Sequence, residues 1–167
     1  MATIDLNGPI LADKLLCDND IVAEEVTCTL PDVNYLAAEY KASGSLSLPI
    51  PLTESLEASI TKIGLNRKMG QYQKLEPKSF EFRAAQNDLK IDGTNTQTGI
   101  KAFIRGVPKK VAGGALTPGE SWSGDITISV LRYQLFVDGV EQCLIDKLKG
   151  IIKIDGTDYG QSIKNLL

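Results

Sequence analysis

The stretch GDITISVLRYQLFVDG (124–139) alternates apolar and polar residues and then changes phase. Ile126, Ile128 and Val130 are apolar at even positions; Leu131, Tyr133, Leu135 and Val137 are apolar at odd ones. Period two marks a half-buried strand. A shift of one residue moves the whole buried set to the other face. The change therefore needs a bulge near Val130 and Leu131, or a strand that bends from one sheet into another. Either predicts a mainly β fold: two packed antiparallel sheets, sandwich- or barrel-like, that share a long bent strand.

Other segments repeat the pattern. SLEASITKI (55–63) sets Leu56, Ala58 and Ile60 against Ser55, Glu57, Ser59 and Thr61. SFEFRA (79–84) alternates likewise, and GIKAFIRG (99–106) does so with Phe103 as an exception. VNYLAAEY (33–40) suits strand or helix, and the glycine and alternating segment that follow so closely favour a strand. Asp138 and Gly139 between apolar partners signal a two-residue hairpin, and Asp155 and Gly156 repeat it. Asp92 and Gly93 open a predicted polar loop to Gly99, and residues 111–122 read as a glycine-rich loop ending at Trp122. Two helices are expected. A short flanking one over 66–75 carries Met69, Tyr72 and Leu75; a C-terminal one over 157–167 is capped by Thr157 and weakened at Gly160 by about 1 kcal/mol relative to alanine. The length suits a single domain, 1–167.

SLSLPIPL (45–52) alternates without a fault but contains two prolines of one parity. Proline lacks the ladder donor, so Pro49 and Pro51 deaden one edge and leave the other able to pair. An extended arm is expected at about 41–54, with Leu46, Leu48, Ile50 and Leu52 on its apolar side. It is either an edge strand within the domain or an arm that lies on a neighbouring molecule.

The chain contains no histidine. That excludes His-based nucleophilic triads, His-ligated zinc and the commonest general base. Adjacent Glu24 and Glu25 point to opposite faces if they lie on a strand, so they make no acid/base pair. GVPKKVAGG (106–114) lacks phosphate-loop spacing. Cys17, Cys28 and Cys143 have no metal-ligand spacing and read as reduced, buried small hydrophobes. A net charge of −3 argues against tight nucleic-acid binding. The first residues show no signal-peptide pattern, no run reaches membrane-spanning length, and a cytosolic site of synthesis is expected. No catalytic, cofactor or metal site is predicted.

The order of these features resembles the major tail tube protein family of contractile-tailed phages and R-type bacteriocins. The likeness is carried by YKASG, the proline-bearing arm, SLEASITKIG, the short basic helix, FRAA, IRGVPKKV, PGESWSGDITISVLRYQLFVDG and the closing GIIKIDGTDYGQSIKNLL. It implies a tail-tube fold, a β-sandwich-like subunit flanked by a helix. Such subunits form hexameric rings that stack into a hollow tube inside a contractile sheath. The tube is the DNA conduit in a phage and punctures the envelope in a bacteriocin. The resemblance also implies sheath, baseplate or initiator, tail terminator and tape-measure partners, assembly in the host bacterial cytoplasm, DNA passage without specific binding, and a membrane crossed only by the assembled tube.

Two sets of residues then acquire expected roles. Leu46, Leu48, Pro49, Ile50, Pro51 and Leu52 are a candidate inter-subunit arm. Ser55, Glu57, Ser59 and Thr61 are small, hydroxylated or acidic, and are a candidate lumen lining that does not hold phosphate; the same face also suits a plain solvent-exposed sheet. Competing readings are the tube of a non-contractile tail or secretion system, a monomeric β-sandwich that binds a small ligand, and an enzyme.

Overall fold

The computed structural model describes residues 6–24 and 26–167. Residues 1–5 of the N-terminal reading, and Glu25 of the acidic pair, lie outside the described residues. In chain order the elements are β1 (Leu6–Cys17), β2 (Asp20–Ala23), β3 (Thr27–Thr29), β4 (Tyr35–Lys41), β5 (Ser45–Thr53), β6 (Leu56–Ile63), α1 (Met69–Tyr72), β7 (Lys78–Leu89), β8 (Asn95–Val111), β9 (Ser123–Val137), β10 (Val140–Asp146), β11 (Ile151–Ile154), β12 (Thr157–Asp158) and α2 (Gln161–Lys164). Among the described residues the fold is mainly β, with two antiparallel sheets, one large and one small, two short helices and no closed barrel.

The large sheet runs β12-β11-β10-β9-β8-β7-β1-β2, and β6 with β3 branches from β9. The branch point is the phase change. Along one edge β9 pairs with β8 throughout; Arg105 faces Arg132 and the next residue, Gly106, faces Val130. Leu131 is the extra residue of a bulge, as the parity change requires. On its other edge β9 pairs with β6 as far as Val130 and with β10 from Arg132 onward. One strand thus feeds two lobes. Before the bulge Ile126, Ile128 and Val130 are buried; after it Tyr133 is buried.

Both lobes close on one core. Leu56, Ala58 and Ile60 of β6 join Leu15, Cys17, Phe80, Ala102, Ile104 and Ile145 from the other lobe in a single apolar cluster. The two layers come from one folded ten-stranded sheet. The small sheet is the separate hairpin β4–β5.

The Asp-Gly turns behave as their chemistry demands. Asp138 and Gly139 have φ of 52° and 76°, and Asp155 and Gly156 of 46° and 81°, the left-handed pair of a two-residue hairpin turn. Asp18 and Asn19 form the same kind of turn between β1 and β2.

Three local expectations are corrected. Residues 95–99 are not loop but the start of β8, paired with residues 85–89 of β7; this half of the hairpin is polar on both faces, so alternation is weak there. Thr157 enters β12, and the C-terminal helix shortens to α2, whose first N–H groups are met by Asp158: its Oδ1 accepts from Gly160 N at 2.9 Å and Gln161 N at 3.2 Å. In α1 Met69 and Tyr72 are buried, but Leu75 lies past the helix end and is exposed.

Candidate assembly surfaces

The arm is a hairpin. β5 pairs antiparallel with β4, from Lys41 opposite Ser45 to Ala37 opposite Pro49. The live edge of SLSLPIPL is therefore used within the chain. Beyond Ala37 the ladder is irregular: Leu36 alone faces Ile50, Pro51 and Leu52 before Tyr35 meets Thr53. Pro49 holds the last regular pair, opposite Ala37, and Pro51 falls in the irregular stretch.

Register decides which side chains share a face. Tyr40 faces Leu46 and Ala38 faces Leu48, so these four form an apolar face with Leu36 of the same parity. Glu39 opposite Ser47 and Lys41 opposite Ser45 form the polar face. The apolar face is open to solvent: Leu36, Tyr40, Leu46 and Leu48 keep 40–52% of their surface. Leu52 is exposed as well, whereas Ile50 and Pro51 are half-buried.

The hairpin is held at its base. Glu54 N donates to Asn34 O at 2.9 Å, and the Lys147 ammonium donates to the Thr53 carbonyl. Burial pulls the Lys147 pKa down. Tyr35, Pro49, Ile50 and Pro51 face Ile154 and Tyr159 across a groove of about 290 Å³. Sequence reading found the β5 half of this surface and missed Leu36, Ala38 and Tyr40 of β4. Their even-position spacing in YLAAEY was the available signal.

The second surface is hydroxyl-rich. Glu57, Ser59 and Thr61 share the outer face of β6, while Ser55 lies just ahead of the strand. Pairing adds Ser129, Thr127 and Asp125 from β9, and Thr29 and Thr27 from β3. The Thr61 hydroxyl donates to Asp125 Oδ1 at 2.7 Å. The added residues were legible as the polar positions of GDITISV, but their neighbourhood was not. The face is also less poor in positive charge than expected: the Lys109 ammonium bonds Glu57, and Lys110 stands opposite Thr127.

Among the described residues no group of His, Cys, Asp and Glu could hold a metal ion, and no helix is long and apolar enough to cross a membrane. The cysteines are free. Burial pushes the Cys17 and Cys28 thiols up to about 11 and raises Cys143 as well, so none is poised as a nucleophile at neutral pH.

A sequence model of the family described as phage tail tube protein FII matches residues 14–167. The chain belongs to that family. A phage tail tube protein is a structural component of the virion tail, assembled into a tube from multiple subunits, and the family is not an enzymatic one. No curated protein matches the chain.

Proposed function

We propose that this tail tube protein polymerises into stacked hexameric rings that form the inner tube of a contractile tail, and that the tube conducts DNA. The observation that carries the polymerisation is the β4–β5 hairpin, which presents Leu36, Tyr40, Leu46 and Leu48 on one open face and pairs with no other strand of the described chain. Burying the rest of each half-exposed leucine is worth about 1 kcal/mol. Repeated over every copy, that supports a filament even after ordering costs.

In this reading the hairpin packs on an adjacent subunit, and the face of Glu57, Ser59, Thr61, Thr127 and Ser129 lines the channel. The lobe built on β6 has two edges free to close a ring. β3 flanks the lobe on one side, residues 107–111 of β8 flank it on the other, and neither has a second strand partner among the described residues. Head-to-tail pairing of unlike edges closes by rotation, and stacking of rings gives the filament. A contractile device adds a sheath outside the tube, with baseplate and terminator proteins at its ends and a tape-measure protein inside.

Electron microscopy of the purified chain at high concentration, with and without a baseplate initiator complex, tests the reading. Hollow tubes with six-fold rings are the expected result. A chain that stays monomeric under both conditions overturns it.

A further inference from the structure

Phe103 breaks the alternation of its strand, and its surroundings give the exception a purpose. On the outer face of β7, β8 and β9, beyond the Leu131 bulge, Phe103 meets Phe136 edge to face, with ring centroids 5.8 Å apart and planes at 87°. Phe103 stays 37% exposed although Ala102 and Ile104 on either side are buried. The aromatic pair makes a ridge between two hollows. One, of about 420 Å³, holds Arg105, Arg132 and Gln134; the other, of about 340 Å³, holds Lys101.

Lys101, Arg105 and Arg132 form no ion pair among the described residues, although Asp146 stands opposite Arg132 on its other side and Asp138 lines the hollow that holds Lys101. Arg105 stands directly opposite Arg132 in the ladder. Like charges so placed repel and cost stability. Arg132 donates only to the Gln134 side chain, at 3.3 Å, and Arg105 and Lys101 make no ion pair or side-chain hydrogen bond among the described residues. The two carboxylates at the larger hollow are committed elsewhere: Asp18 to the Ser79 N–H at 3.1 Å and to Lys78, and Glu81 to Arg83. In a chain of net charge −3, two facing arginines that form no ion pair beside an exposed phenylalanine are an unspent cationic site.

We infer that this face receives a segment of a different protein, one that presents carboxylates beside an apolar anchor. The guanidinium forks suit carboxylates, and the ridge supplies the desolvated apolar centre that such a contact needs. The net charge of −3 disfavours nucleic acid as the occupant. The inference rests on the proposed assembly in one respect: the hairpin and the edge strands are used between copies, and this face lies on neither.

The test uses a short fluorescent peptide of aspartate and glutamate with central leucines, its asparagine and glutamine counterpart, and duplex DNA, followed by anisotropy at low and physiological salt. The acidic peptide should bind the intact chain, weaken with salt, and lose about tenfold in affinity against Arg105→Gln with Arg132→Gln, and separately against Phe103→Ala. The arginine double variant should melt close to the parent, because the Arg105–Arg132 repulsion that is removed offsets the loss of Arg132 as a neighbour of Asp146. The inference is overturned by a parent chain that ignores the peptide, by variants that bind it undiminished, by equal binding of the amide peptide, or by DNA that outcompetes it. It is also overturned by variants that melt normally but no longer polymerise, since the face would then be a contact between copies. A parent chain that binds the peptide but builds no tube supports this face and removes only the tube reading.

Discussion

A Cβ atom on Gly106 would lie 2.4 Å from the carbonyl oxygen of Ser129 and 2.6 Å from Ile128 Cγ2. Gly106 is the residue at which β8 steps past the Leu131 bulge, and it is the last partner of β7. The close approach is what lets one strand pair continue from one lobe into the other. Backbone cannot yield there as a flexible side-chain end would. Gly106→Ala should therefore cost about 1–3 kcal/mol, the range for forcing a methyl into a packed site. Urea denaturation reads it directly; an unchanged midpoint would show that the bend tolerates a side chain.

Asp88 gives an acid-sensitive contact at the far end of β7. Its carboxylate accepts from the Thr98 hydroxyl, from Gln86 Nε2 at 2.8 Å and from the backbone N–H of Gly8, and these bonds hold its pKa below the usual carboxylate range. A depressed folded-state pKa contributes stability that is present above the unfolded value and lost as pH falls through the folded one. Asp88→Asn should lower the melting temperature at pH 7, and the gap to the parent should narrow below about pH 4. A gap constant from neutral to acid pH would assign the loss to shape and not to charge.

The lumen assignment predicts a selective defect. Ser59→Lys with Thr61→Lys places added cations on an outer face and leaves Leu56, Ala58 and Ile60 in the core. The Thr61 bond to Asp125 is lost, but the new ammonium gains that carboxylate as a partner. Tubes should still form, and DNA ejection should slow, because every ring presents extra positive charge to passing phosphates. Ejection at the parent rate from tails of normal appearance would place these residues away from the channel.

Legibility in the sequence followed burial. The phase change at Val130 and Leu131 located a bulge because each half of β9 has one dry face, so the register leaves a mark in the residue types. Residues 95–99 left none: the inward face there is Thr96 and Thr98, half-buried on polar partners such as Asp88, and threonines look no different from loop. Thr157 was a sound cap by type, but pairing with Ile154 drew it into β12 and left Asp158 to cap the helix. The prolines of SLSLPIPL marked a strand with restricted pairing. They could not reveal that the partner lies only a few residues upstream, because YLAAEY suits helix as well as strand until its even positions meet the leucines. Of the assembly surfaces, single strands were readable and neighbourhoods were not; the ion pair of Lys109 with Glu57 crosses β9 and exists only through register.

The hairpin itself carries the last prediction. Ile50 lines the groove at its base and is half-buried, so altering it would mix folding with assembly. Leu46 and Leu48 lie further out and keep 47% and 46% of their surface. Leu46→Asp with Leu48→Asp should leave the thermal unfolding of the monomer close to that of the parent, because the lost burial is small and the core cluster includes neither residue. Tube formation should fail, since each contact would now have to desolvate two carboxylates against an apolar surface. Sedimentation at high concentration separates the outcomes. A double variant that still pellets as tubes would show that the apolar face of β4–β5 is not a contact between subunits, and one that melts early would make the hairpin part of the monomer's own stability.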